Sequence, residues 1–159
     1  MLTAAQKYRL QLLHAYEWVN EDAAVTSQNL EALFRQIETA EELWYASFIV
    51  PWDPAEGSFQ RILDHHLCDR GIALFLYWSL NPISFHRPGG QVSYQNGALI
   101  EQIEKRFANG DYLLESVAYS PRKSTHFRER HDGVPDSMLN ATTGVAVELD
   151  YRQAVFATC

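Results

Sequence analysis

Apolar residues recur along the first fifty positions at the spacing of helices that bury one face. Over 5–19, Ala5, Tyr8, Leu12, Ala15, Tyr16 and Val19 keep near-helical intervals with Lys7, Arg9 and Gln11 between them, which predicts an amphipathic first helix ended by Asn20-Glu21-Asp22. Thr26 or Ser27 has the chemistry to cap a second helix, whose Leu30, Leu33, Phe34 and Ile37 follow the i, i+3, i+4, i+7 pattern. Thr39-Ala40-Glu41-Glu42 has the Thr-x-x-Glu form of a capping box, in which hydroxyl and carboxylate each satisfy a backbone N–H left over at the helix start. The third helix carries Ala40, Leu43, Trp44 and Phe48 on one face and runs to about Val50, where Pro51 stops it.

The centre of the pattern is 58–80. Ser58 caps a fourth helix with Phe59, Ile62, Leu63, His66 and Leu67 inward. Asp69 caps a fifth, accepting from the N–H of Gly71 or Ile72. Residues 72–80 are apolar almost all the way round, which marks the core helix, and the short break before them predicts a helical hairpin. Pro82 ends this helix. Residues 82–95 hold Pro88-Gly89-Gly90 and no sustained period, so they read as an excursion with a short strand at 91–94.

Asn96 or Gly97 opens a sixth helix with Leu99, Ile100, Ile103 and Phe107 inward, Glu101 and Lys105 paired outside, and Asn109-Gly110 as a left-handed stop. Residues 112–119 fit strand or helix, 121–133 a polar loop, and 135–140 one helical turn; Val145, Val147, Leu149 and Tyr151 alternate like a strand. The expectation is a mainly α fold: one compact domain over 1–159, about six helices packed as hairpins, and a short C-terminal strand pair.

Length and composition agree with one domain: 159 residues, 47% hydrophobic and 21% charged, far from the signature of disorder. The longest apolar run, 72–78, is far short of the roughly 20 residues that span a bilayer. No basic stretch leads into an apolar segment at the start, and Cys68 and Cys159 read as free thiols of a reducing compartment, so the expected location is the cytoplasm. Charge changes the picture more. Residues 1–56 hold nine acidic side chains against Lys7, Arg9 and Arg35, a balance of −6 out of −7 for the whole chain. That bias excludes nucleic acid as a partner and suits a basic protein surface, although carboxylates also simply solvate helix faces.

Candidate chemistry concentrates in Asp64, His65, His66, Cys68 and Asp69, five potential metal ligands within six residues. Their spacing is not that of a zinc site, because adjacent histidines on a helix point about 100° apart, and a metal would need His86, His126 or His131 as well. The structural reading gives Asp69 to the helix cap, Cys68 to the interior as a small hydrophobe and His66 to packing. Cys68 as a nucleophile would gain from the helix start and lose from Asp69 beside it. Asp64 with Asp69 is an unspecific carboxylate pair. No nucleophile elbow, H-E-x-x-H helix, P-loop or dinucleotide fingerprint occurs, and no cofactor is implied. The basic segment 122–131 is diluted by Glu129. Trp44, Tyr77 and Trp78 sit at core spacing, whereas Trp52 and Tyr94 on loops suit recognition.

Trp52-Asp53 with Gly57, then Ile62-Leu63-Asp64-His65 and Cys68-Asp69-x-Gly71-x-Ala73-Leu74, resembles a bacterial family known as domain of unknown function 4274, with an N-W-D-D-G loop followed by D-H-x-x-C-D-x-[GA]-T-A-L. The resemblance covers about 43–144, with 100–110, Tyr119-Ser120-Pro121 and Val134-Pro135 similar to longer members. Ile72 stands for the family threonine and Pro51-Trp52-Asp53-Pro54 for the loop, so a site needing either group would be damaged. The resemblance implies a compact helical bacterial protein and no catalytic residue.

These readings converge on a non-enzymatic protein-binding protein, with an immunity protein that occludes a toxin's active site as its specific form. Its expected contacts are Glu38, Glu41, Glu42, Trp52, Asp53 and Glu56, and its structural motif is Asp64, Cys68, Asp69 and Gly71. The alternatives are a small metal- or cysteine-dependent enzyme centred on 64–69 and a subunit that self-associates through the apolar hairpin.

Overall fold

The computed structural model describes residues 1–18, 23–50, 57–127, 133–147 and 150–156. The protein is mainly helical. Among these residues it forms α1 (Ala4–Trp18), α2 (Ala23–Arg35), α3 (Ala40–Ile49), α4 (Ser58–Asp64), α5 (Arg70–Ser79), α6 (Pro82–His86), α7 (Tyr94–Asn109) and α8 (Tyr151–Phe156). Two strands, β1 (Val117–Ala118) and β2 (Val145–Ala146), pair in parallel with Val117 opposite Val145. The chain forms two compact units, Met1–Leu67 with Val147–Cys159, and Cys68–Ala146.

In the first unit α3 is the core element: Leu43, Trp44, Ala46 and Ser47 are fully buried and Tyr45 and Ile49 nearly so. This helix is therefore buried on most of its circumference, where one apolar face was expected, and Phe48 lies at its edge against the Trp44 and Tyr151 rings. Thr39 caps it by accepting from the Glu42 N–H at 3.2 Å. The reciprocal half of the capping box does not form, because the Glu42 carboxylate turns to the Glu38 N–H and to Arg9.

The buried face of α1 also differs from the expected one. Leu10 and Leu13 are inside, whereas Tyr8 and Ala15 are exposed. A polar residue occupies an inward position: Gln6 accepts from the Thr3 N–H at 2.8 Å and donates to Thr39 Oγ1 at 3.4 Å, which lets an amide be buried satisfied. Helix α2 starts at Ala23, ahead of both expected caps, and buries Leu30 and Phe34. Ser58 is the first residue inside α4, after Gly57 in the cap position, so its hydroxyl caps nothing. Helix α8 replaces the strand expected at Tyr151, because the Asp150 carboxylate accepts from the Arg152 and Gln153 N–H groups and starts a helix; Leu149 lies outside the described residues. Gln11 donates to the Val155 carbonyl, tying α8 to α1.

In the second unit α5 is the centre, with every residue from Gly71 to Trp78 buried. Asp69 caps it, Oδ1 accepting from the Ile72 N–H at 2.9 Å. Its last turn runs into Asn81, whose left-handed backbone and side chain, accepting from the Ser84 N–H, open α6 directly. Pro82 thus starts a helix where it was expected only to end one, since its fixed φ suits the first helical position. Ser93, accepting from the Asn96 N–H, likewise starts α7 at Tyr94, so the expected strand at 91–94 is absent. Leu99, Ile100 and Ile103 of α7 pack inward and Gly110 closes it in the left-handed conformation. The segment 112–119 resolves into irregular chain and β1, and 136–138 into one 3-10 turn. Trp78 donates its Nε1–H to the Met138 carbonyl at 2.9 Å, which anchors that turn.

Candidate functional site

The residues of the 64–71 motif do separate jobs. Asp64 is the last residue of α4, exposed, and takes the Gln60 amide on Oδ2 at 2.7 Å. His65 leaves the helix in an extended conformation, so the 100° separation expected for His65 and His66 does not arise; their rings stack at 4.6 Å instead. His66, expected inward, is exposed apart from that ring contact.

His65 is half-buried and its two ring nitrogens face opposite chemistry. Nδ1 lies 3.2 Å from the Leu67 N–H and Nε2 lies 3.1 Å from the Phe34 carbonyl oxygen. Only the neutral tautomer with the proton on Nε2 satisfies both. Burial lowers the affinity of His65 for a second proton, and the neighbouring His66 works in the same direction.

In the second unit, Cys68 is half-buried with Sγ 3.9 Å from the Asp69 carbonyl oxygen. Asp69 is almost fully buried. Beyond capping α5 it accepts from the Val117 N–H on Oδ2 at 2.7 Å, and the Arg70 N–H donates to the Leu114 carbonyl at 2.9 Å. Gly71 completes this arrangement, because a Cβ there would run into the Val117 carbonyl oxygen. Burial pushes the Asp69 carboxyl up, against the pull of its N–H donors. Both oxygens of Asp69 are committed to backbone, which removes it from the ligand and proton-transfer roles weighed for it. Among the described residues, no group of three or more His, Cys, Asp or Glu is placed to hold a metal.

The acidic residues expected at a partner surface divide. Glu38 is exposed and Glu41 half-exposed, the latter bonded to the amino group of Met1 at 2.8 Å. Glu42 is fully buried, so it is not a surface contact. Its Oε1 and Oε2 accept from Arg9 Nε at 2.7 Å and Nη2 at 3.1 Å, a bidentate pair supplemented by the Glu38 N–H. The same guanidinium reaches Glu38 at 2.9 Å, and these carboxylates raise its pKa. Trp52, Asp53 and Glu56 lie outside the described residues.

Two arrangements have no local signature in the sequence. An open groove of about 430 Å³ in the first unit is lined by Glu31, Phe34 and Arg35 of α2 and by Gln60, Arg61 and Asp64 of α4, with Gly57 and His65 at either end of α4. Glu31 binds Arg35 Nε at 3.2 Å and Arg61 Nε at 3.7 Å. The i, i+4 spacings Glu31/Arg35 and Gln60/Asp64 were visible in the sequence, but not that the two helices share them. In the second unit Glu104 Oε1 accepts from Tyr77 Oη at 2.7 Å and lies 2.6 Å from His86 Nε2. Tyr77 is thus more than packing, and its phenol is pushed up by burial and by Glu104.

No protein-family model, curated protein or solved structure matches this chain. Among the described residues, no helix is long and apolar enough to cross a membrane.

Proposed function

We propose that this protein is a non-enzymatic binding protein of the bacterial cytoplasm whose partner is a protein with a basic surface. Its specific form is an immunity protein that occludes the active site of a toxin or secreted effector. Membership of the family of unknown function that 52–74 resembles is part of the same proposal. The observation that supports it is an excess of negative charge that internal pairing leaves in place. Residues 1–56 carry −6, and one of their three cations, Arg9, is shared between buried Glu42 and Glu38, whose side chain stays 66% exposed. A surface of this sign steers a basic partner into contact and makes association fast and salt-sensitive.

The test is co-expression of the chain with the products of neighbouring genes, followed by purification of the complex. The expected result is one stoichiometric partner, toxic alone and harmless in the complex, whose affinity falls as salt is raised. Replacing Glu38→Lys and Glu41→Lys together weakens that complex by about tenfold or more. A partner bound equally well by the double variant and at high salt excludes this surface.

A further inference from the structure

Helix α1 carries apolar residues on two sides, and the fold buries one of them. Gln6, Leu10 and Leu13 lie together on the inward face. At about 100° per residue, Ala5, Tyr8, Leu12 and Ala15 fall on the opposite side, aligned at i, i+3, i+7 and i+10. There Ala5 and Ala15 are exposed, Leu12 is half-buried and Tyr8 is 62% exposed. The stripe runs about 15 Å, close to three turns. A tyrosine set between alanines presents one large, stiff ring above a floor low enough for a second helix to approach.

Charge selects what covers this stripe. Arg9 stands one turn from both Ala5 and Leu12 and brings its carboxylate partners, Glu38 and buried Glu42, to that border. Glu41 joins them at the start of the helix, bonded to the Met1 amino group. Three carboxylates thus face two cations, and the Glu38 side chain stays 66% exposed. On the larger scale the first unit holds the chain's whole formal charge of −7, twelve acidic residues against five basic, while the second unit balances at eight and eight. A second copy seated on the stripe would bring −7 against −7, whereas a basic segment is drawn in by the same field.

We propose that this stripe seats a basic amphipathic helix of a protein partner. The partner's apolar face lies over Tyr8 between Ala5 and Ala15, and its lysines or arginines turn toward Glu38 and Glu41. Such helices dock through anchors at i, i+3, i+4 and i+7. The inference rests on the basic-partner reading above and names the element of the partner that this face takes.

The experiment titrates the full 159-residue chain, labelled with nitrogen-15, with a synthetic peptide of about 18 residues, long enough to form a helix. The peptide carries leucine at i, i+3, i+4 and i+7 and lysine elsewhere; a scrambled peptide of the same composition has the charge without the apolar face. The helical peptide moves the Ala5, Tyr8, Leu12 and Ala15 amides and binds about tenfold tighter than the scramble. Tyr8→Ala and Ala15→Arg, both at exposed positions, each remove that advantage and leave the scramble's affinity within about twofold. Replacing Glu38→Lys and Glu41→Lys together weakens both peptides alike. The inference is overturned if the scramble binds as tightly, or if the shifts fall away from α1. It is also overturned if the chain alone sediments as a dimer that Tyr8→Ala dissociates, since the occupant is then a second copy. The basic-partner reading fails separately, when co-expression yields no stoichiometric partner.

Discussion

Asp69 spends its two oxygens on two different elements, which makes it the residue where a small chemical change has the largest structural consequence. Oδ1 holds the start of α5 through Ile72 and Oδ2 holds β1 through Val117. Asparagine fits the same space and keeps one acceptor, but its amide then meets an N–H as donor to donor. Asp69→Asn is therefore expected to cost about 2 kcal/mol, the penalty of a buried N–H left unsatisfied. Gly71 is constrained by space rather than polarity, since a methyl group would occupy the place of the Val117 carbonyl oxygen. Gly71→Ala should cost about 3 kcal/mol, because backbone, not a flexible side chain, has to move. Urea denaturation of both variants checks the pair. A Gly71→Ala protein as stable as wild type would mean that β1 does not rest on α5.

At the scale of elements, the second unit is joined by a polar contact inside an apolar core. Tyr77 on α5, His86 on α6 and Glu104 on α7 meet at one carboxylate oxygen. Tyr77→Phe removes a donor and leaves Glu104 with His86, so about 1 kcal/mol is expected. Glu104→Leu strands the fully buried Tyr77 hydroxyl and should cost about 3 kcal/mol. In the Tyr77→Phe background the same Glu104→Leu change should be cheaper by about 1 kcal/mol or more, a coupling that a double-mutant cycle measures. Additive costs would show that the three helices are held by packing alone.

Elements whose signals lie within a few residues of one another were legible in the sequence. Thr39 three residues before Glu42, Asp69 three before Ile72, and the apolar run of α5 each specify their helix locally. What escaped depends on partners distant in sequence. The face of α1 is set by Gln6 reaching Thr39, and the burial of Glu42 by Arg9, each 33 residues away. Helix α6 was hidden because Pro82 after an apolar run reads as a stop until the left-handed Asn81 is seen. For the candidate sites the same rule holds: the charges of Glu38 and Glu41 could be read directly, while the groove needs α2 and α4 side by side.

For the whole molecule, the titrating groups act on stability with different signs, which can be worked out one by one. His65 has its folded pKa lowered, so the neutral ring is the form the fold stabilises. As pH falls below the ordinary histidine value of about 6.5, the unfolded chain takes up a proton that the folded chain refuses. Stability contributed by His65 is therefore full above that pH and declines as pH drops toward the lowered folded value. Asp69 has the opposite sign: its carboxyl is pushed up by burial, so the folded chain binds its proton first and gains stability as pH falls from its folded value through the carboxylate range. Glu115, held down by the Thr143 hydroxyl and N–H, loses its contribution in that lower range. Asp69 thus works against His65 as pH falls, and a variant at His65 separates the two. The His65 contribution should lower the thermal midpoint as pH is taken from neutral into the mildly acidic region. His65→Gln, which keeps an amide to pair with the Phe34 carbonyl and cannot be protonated, should flatten that decline while lowering the neutral-pH midpoint slightly. An unchanged slope in His65→Gln would place the acid sensitivity on another histidine and remove the basis for a neutral ring bridging Phe34 and Leu67.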